Sequence, residues 1–249
     1  MARFAHDSVV PDGSSRQQKK EQVAEMFNSI ASRYDFMNRF LTAGVDLRWR
    51  RKTILQLQDI HPQLVLDVAT GTADIAILTH QLLHPQKITG IDISEGMLEL
   101  GRKKLEQLGL SSQIELQQGD SEQLAFPANS FDAITVAFGV RNFQDLEKGL
   151  QEMLRVLRPG GRLAILEFSR PPNPIFRALC NFYTNVITPF IGRLFANNRK
   201  AYQYLNDSVQ AFPEGPAFTR ILADTGFSNT RFRRLSLGIC TIYTGDKKG

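Results

Sequence analysis

Between Leu64 and Asp74 the chain reads Leu-Val-Leu-Asp-Val-Ala-Thr-Gly-Thr-Ala-Asp, and after a helix-like run it continues Ile-Thr-Gly-Ile-Asp-Ile-Ser to Ser94. An apolar run of strand length enters a turn of small residues, a helix follows, and a second apolar strand ends on a carboxylate. Such a unit commits the chain to a parallel sheet covered on both faces, with ligands at the carboxyl ends of the strands. Gly71, Thr72 and Ala73 are small enough for a ligand to approach the backbone, and Asp92 can accept hydrogens from both hydroxyls of a ribose. The turn is not the Gly-x-Gly-x-x-Gly fingerprint of dinucleotide binding, and Asp74 stands where a pyrophosphate needs open helix N–H groups. A phosphate-free, positively charged nucleoside such as S-adenosylmethionine therefore suits the turn better. A motif this short also occurs in unrelated α/β sheets, so the rest of the chain must support it.

The alternation continues. Strands are expected at 64–67, 88–92, 114–118, 131–137 and 162–168, with helices near 74–83, 96–108 and 146–157. Ser94 suits the N-cap of the second helix, and Leu146, Leu150, Leu154 and Leu157 mark one face of the third. Arg158-Pro159-Gly160-Gly161 should end that helix sharply. A helix near 215–225 and strands near 227–235 and 239–244 close the chain, Gly238 permitting a tight hairpin between them.

Two regions depart from this rhythm. Residues 1–20 are polar and turn-rich and are expected to be flexible, or ordered only by a ligand. Residues 21–249 then form one domain, with a helical cap at 21–60 broken at Gly44 and a helical insertion at 171–212. The insertion holds Ile175, Phe176, Phe182, Tyr183, Phe190 and Phe195, too long and too apolar for an ordinary connection of ~2 to 6 residues. Lining for an apolar ligand, contact with a membrane surface and a dimer interface would leave the same signature.

Composition narrows the classes further. Two cysteines, Cys180 and Cys240, are too few for a disulfide scaffold, and the four histidines lack metal-ligand spacing, so no metal is expected. The net charge of +5 is modest, and the basic residues are not interleaved with stacking aromatics, so nucleic acid is not an expected partner. No signal-peptide core and no run of ~18 apolar residues is present. The expectation is a cytoplasmic protein, with peripheral contact at the inner face of the membrane left open.

The chain resembles the ubiquinone/menaquinone biosynthesis C-methyltransferase family, within the class I S-adenosylmethionine-dependent methyltransferases, from about Val23 to Lys247. The resemblance rests on Met26-Phe27, Ile30-Ala31 and Arg33-Tyr34-Asp35, on Leu66 to Thr72, and on Asp120 with Asn129-Ser130-Phe131-Asp132. Phe138-Gly139-Val140-Arg141-Asn142 and Arg155 to Gly161 leading into Leu166-Glu167-Phe168-Ser169 are its more specific parts. It departs at Ala73, where the family usually has Gly, and at Ala137, where a small hydroxyl residue often stands. The methyl of Ala73 is expected to be tolerated only at negative φ.

The resemblance implies a Rossmann-like, mostly parallel seven-stranded sheet with an antiparallel last strand. It also implies methyl transfer from S-adenosyl-L-methionine to a ring carbon of a polyprenylated quinol. Demethylmenaquinol is the leading expectation, and a 2-polyprenyl-6-methoxy-1,4-benzoquinol is the alternative. A methyltransferase for another apolar small molecule and a non-enzymatic binding module are the competing readings. For the cofactor we expect Asp67, Gly71 and Thr72 at its amino-acid end, Asp92 at the ribose, and Asp120 with Ser121 near the adenine. For catalysis we expect Arg141 to stabilise a developing phenolate, with Asn142 and Tyr34 holding an oxygen or a water. Phe182 and Phe190 are expected along the prenyl tail, and a homodimer is left open.

Overall fold

The computed structural model describes residues 4–182 and 199–249. Its centre is a seven-stranded sheet in the order β3-β2-β1-β4-β5-β7-β6. The strands are β1 (Leu64–Val68), β2 (Lys87–Asp92), β3 (Ile114–Gln118), β4 (Phe131–Ala137), β5 (Leu157–Phe168), β6 (Ser228–Leu235) and β7 (Cys240–Asp246). The first five pair in parallel, and β7 runs antiparallel between β5 and β6. The order reverses beside β1, between β2 and β4, which opens a crevice at the carboxyl ends of β1 and β4.

Helices α1 (Lys19–Leu41) and α2 (Val45–Ile54) precede the sheet; α3 (Asp74–Leu83), α4 (Glu95–Leu108) and α5 (Leu146–Val156) cross over it. Beyond β5 come α6 (Pro174–Phe182), α7 (Arg199–Ala211) and α8 (Pro216–Thr225). Central strands buried on both faces explain the nearly unbroken apolar runs: Val65, Leu66, Ile134, Leu163 and Ile165 are all buried. α4 begins at Ser94, whose hydroxyl accepts from Met97 N at 3.3 Å, as the sequence predicts. α5 is capped by Asp145, and its buried face is Leu146, Leu150, Met153 and Val156.

Leu157 departs from the expected helical face, because its backbone pairs with Phe131 as the first residue of β5. Arg158 precedes Pro159 and is thereby kept out of the helical region, so the chain extends one residue earlier than the periodicity suggests.

The first described residues pack against the domain. Ala5–Ser8 form a short 3-10 helix with His6 fully buried, its ring edge-on to Phe212 at 5.2 Å. Lys19 Nζ donates to the His6 carbonyl at 2.7 Å. These contacts anchor a stretch whose own composition supplies no periodicity; the partner that orders it lies two hundred residues away.

Candidate active site

α1 lies across the carboxyl ends of the strands, and beneath it is a cleft of about 710 Å³, its open mouth included. Lys20, Val23, Phe27 and Tyr34 of α1 form one wall, a stripe at helical spacing. Ala69 and Gly71 after β1, Asp92 and Ile93 after β2, Asp120 to Glu122 after β3, and Ala137 to Gly139 with Asn142 after β4 supply the others.

The cleft floor is built from loops under backbone strain. Ala69, Ala73 and Phe138 have φ of 54°, 66° and 59°. Left-handed backbone costs a non-glycine residue ~1 to 2 kcal/mol, and such residues persist where the surroundings over-determine them. Ala73 thus fails the sequence expectation of negative φ: it is left-handed, buried, and packed in the apolar cluster with Ala76 and Leu98. Burial of its methyl offsets strain on a similar scale, ~1 kcal/mol. Gly71, at φ 57°, has no atom within 4 Å of where a Cβ would stand, so space beside the turn is open to a ligand.

Asp92 dominates the floor. Its carboxylate accepts from Gly71 N at 2.8 Å and Ser94 N at 2.9 Å. Burial pushes its pKa up, and the N–H donors of Ser94, Gly71 and Ile93 oppose the shift. Each oxygen retains a lone pair for a hydroxyl donor. Because Gly71 N is already held by Asp92, it is not free to bind a phosphate oxygen. Asp74 itself is neutralised by Lys104 at 2.7 Å and Arg39 at 3.2 Å, so its carboxylate repels an anion less than the sequence alone implies.

Further along the wall, Lys20 Nζ reaches Asp120 Oδ2 at 3.2 Å, closing α1 onto the loop after β3. That hydrogen bond raises the Lys20 pKa. Glu122 accepts from Gln144 N and Asp145 N, each at 2.8 Å, and burial raises its carboxyl pKa. Met97, Ile93 and Phe143 give this end an apolar lining. A purine edge is matched by such a set, with Asp120 and Ser121 as polar contacts among apolar neighbours.

Behind the opposite wall is a polar cluster. Arg141, 2% exposed, is fixed by Nη1 to Glu167 Oε1 at 2.7 Å and to the Phe138 carbonyl at 2.6 Å. Its Nε is buried with no hydrogen-bond partner among the described residues. Burial pushes the Glu167 carboxyl up, and Arg141 opposes the shift. Tyr204 of α7 donates to Asn142 Oδ1 at 3.1 Å, and burial raises its hydroxyl pKa. Tyr34 is also shifted up by burial, with Arg141 pulling the other way.

Of the residues predicted from sequence, Gly71, Asp92, Asp120, Ser121, Tyr34 and Asn142 therefore line one cleft. Three others stand outside its lining. Asp67 is buried and accepts from Thr70 and Thr135 hydroxyls, each at 2.6 Å, with its pKa pushed up to about 6 by burial. Thr72 donates to Asp35 at 2.7 Å, and Arg141 is the buried partner of Glu167. Phe182 is the last residue of α6, and Phe190 lies outside the described residues. Lys20, Glu122, Glu167 and Tyr204 were not singled out as site residues. Glu167 had a signal: a carboxylate within the run Leu-Ala-Ile-Leu-Glu-Phe requires a buried cation.

The chain is similar to known proteins over nearly its whole length. A Demethylmenaquinone methyltransferase of Bacteroides fragilis is 47% identical over 229 residues, 92% of this chain and 94% of that protein. A Ubiquinone/menaquinone biosynthesis C-methyltransferase UbiE of Geobacter sulfurreducens is 45% identical over 92% of this chain and 90% of its own length. Among solved structures, a SAM-dependent methyltransferase and possible histamine N-methyltransferase of Thermotoga maritima superposes with a TM-score of 0.58 at 19% identity. That alignment covers 90% of this chain and 99% of the other, a likeness of fold. The family described as the ubiE/COQ5 methyltransferase family matches residues 15–247, and with near-full-length relatives of such identity the chain belongs to that family.

Proposed function

We propose that the chain methylates a ring carbon of a polyprenylated quinol, converting demethylmenaquinol to menaquinol, with S-adenosyl-L-methionine as the methyl donor. The observation that carries the substrate is the 47% identity, across 92% of the chain, to a protein named for demethylmenaquinone. The name of the Geobacter relative covers ubiquinone as well, which keeps the methoxy-benzoquinol as a second substrate to test.

The residues present fit the donor. Asp92 offers acceptors for ribose hydroxyls, the open space beside Gly71 admits a ligand against the backbone, and the Asp120 end combines polar and apolar contacts. The bound donor supplies an electrophilic methyl group, and the protein then has to align a carbon nucleophile and exclude water. α1 covers the cleft and restricts water. Asn142, held by Tyr204, is positioned to orient a quinol oxygen, and Tyr34 faces it from α1. Arg141 lies behind this wall, paired with Glu167, and what that carboxylate leaves of its positive charge favours negative charge developing on the ring oxygen. We assign the prenyl tail to the apolar insertion at 171–212, with Phe182 and Phe190 as its expected contacts, and a transient approach to the membrane follows from such a substrate.

The test is transfer of a labelled methyl group to reduced demethylmenaquinone and to the methoxy-benzoquinol in parallel. Product from the first at the higher kcat/KM supports the assignment. Preference for the second reverses the substrate order, and product from neither contradicts the proposal.

A further inference from the structure

The β6–β7 hairpin turns through Ser236, Leu237 and Gly238, with φ of 46°, 57° and 97°. Left-handed backbone is unfavourable for Leu and easy for Gly or Asn. Leu237 nevertheless adopts it and leaves its side chain 73% exposed. The turn therefore does not explain the residue, and neither does burial.

The hairpin stands at the carboxyl end of the sheet, the end at which the cleft opens. Leu235 and Phe168 both register with Cys240, and Ser169 Oγ donates to the Gly238 carbonyl at 2.8 Å. One surface groove joins Leu237 to Arg234 and to Ile175 of α6, which is 81% exposed. α2 reaches the same tip, because Trp49 Nε1 donates to Ser236 Oγ at 2.9 Å. Arg177 is anchored by the Pro171 and Pro172 carbonyls, and Arg234 lies over the Phe232 ring, neither paired with a carboxylate among the described residues.

We propose that this end of the molecule docks on a bilayer surface carrying anionic headgroups, with Leu237 and Ile175 entering it and Arg177 and Arg234 at the headgroups. The proposal rests on the reading that the substrate carries a prenyl tail, and it names the face through which that substrate is drawn. Charge complementarity selects the occupant: separated apolar tips framed by guanidinium groups match acyl chains beneath negative headgroups. A stable protein partner would need a continuous apolar centre instead of two separate side chains. Among the described residues no helix is long and apolar enough to cross a membrane.

Flotation with vesicles of phosphatidylcholine alone, or mixed with phosphatidylglycerol, tests this. Wild type should float with the anionic vesicles and be released by salt. Arg177→Gln with Arg234→Gln should weaken partitioning by about 25-fold, about fivefold per charge. Leu237→Gly should weaken it about tenfold while its melting temperature holds or rises, because the strained turn relaxes. Turnover of a short-tail, water-soluble quinol should stay unchanged in both variants. Wild type that ignores anionic vesicles, Leu237→Gly that floats like wild type, or a dimer that Leu237→Gly dissociates without any vesicle binding would each overturn the proposal. Asp92→Ala separates it from the functional reading: flotation should persist when turnover is lost. Flotation as described by a protein that methylates no quinol would support docking and overturn the function.

Discussion

A carboxylate inside an apolar strand needs a cation, and Glu167 has Arg141 at 2.7 Å with both side chains buried. The guanidinium cannot shed its charge, so Glu167→Ala leaves an uncompensated buried cation. A loss of ~3 to 5 kcal/mol in unfolding free energy is expected. Arg158→Ala, which breaks the more exposed pair with Asp132, should cost ~1 kcal/mol or less. Urea denaturation of the two variants checks the contrast, and equal losses would contradict it. Single residues were unevenly legible in the sequence. Asp92 and Gly71 could be found because a strand end and a tight turn each restrict what a residue can do. Asp67 could not be oriented, because it is followed by Val68, which lines the cleft, in a strand apolar on both sides of the sheet. The pleat sends alternate residues to opposite faces, and nothing in such a run says which face is which. The left-handed φ of Ala73 was hidden for a related reason: an Ala carries no signature of the conformation into which its neighbours force it.

At the scale of elements, α1 is the cover, and polar clamps hold it along its length. Lys20 meets Asp120 near its start, Asn28 Oδ1 accepts from Ser94 Oγ and Gly96 N, and Asp35 meets Lys104 at 2.9 Å. Lys104 also reaches Asp74 and Thr72, so one ammonium ties the cover to the turn that forms the cleft floor. Losing it removes charge-assisted hydrogen bonds worth ~1.5 to 3 kcal/mol in partly buried surroundings. Lys104→Met should therefore speed hydrogen exchange of α1 amides by about 10- to 150-fold and leave β1 and β4 unchanged, since local opening scales with the lost free energy. Uniform acceleration would point to global destabilisation, and no acceleration would remove the clamp. The apolar period of α1 was readable from sequence and a cap was expected there, but its clamped role over the cleft was not readable. That role depends on partners such as Lys104 and Asp120, which a one-dimensional pattern does not bring near it.

Across the whole molecule, the seven strands and their β-α-β order were legible because buried parallel strands and crossover helices leave strong patterns. The anchored start of the chain was not, because Phe212 and Lys19 hold His6 from positions its local composition cannot announce. The fold then divides the site in two. The β1, β2 and β3 ends with α1 make the side proposed for the cofactor, while the β4 end, with Glu167 of β5 and Tyr204 of α7 behind it, makes the side proposed for chemistry. A paired measurement on Arg141→Ala tests that division most directly, once circular dichroism shows the variant folded. Titration calorimetry should find S-adenosyl-L-methionine affinity within a few-fold of wild type, while single-turnover methyl transfer to demethylmenaquinol falls ~100-fold or more, the scale of losing one stabiliser of developing charge. Equal losses in affinity and rate, or an unchanged rate, would contradict the account.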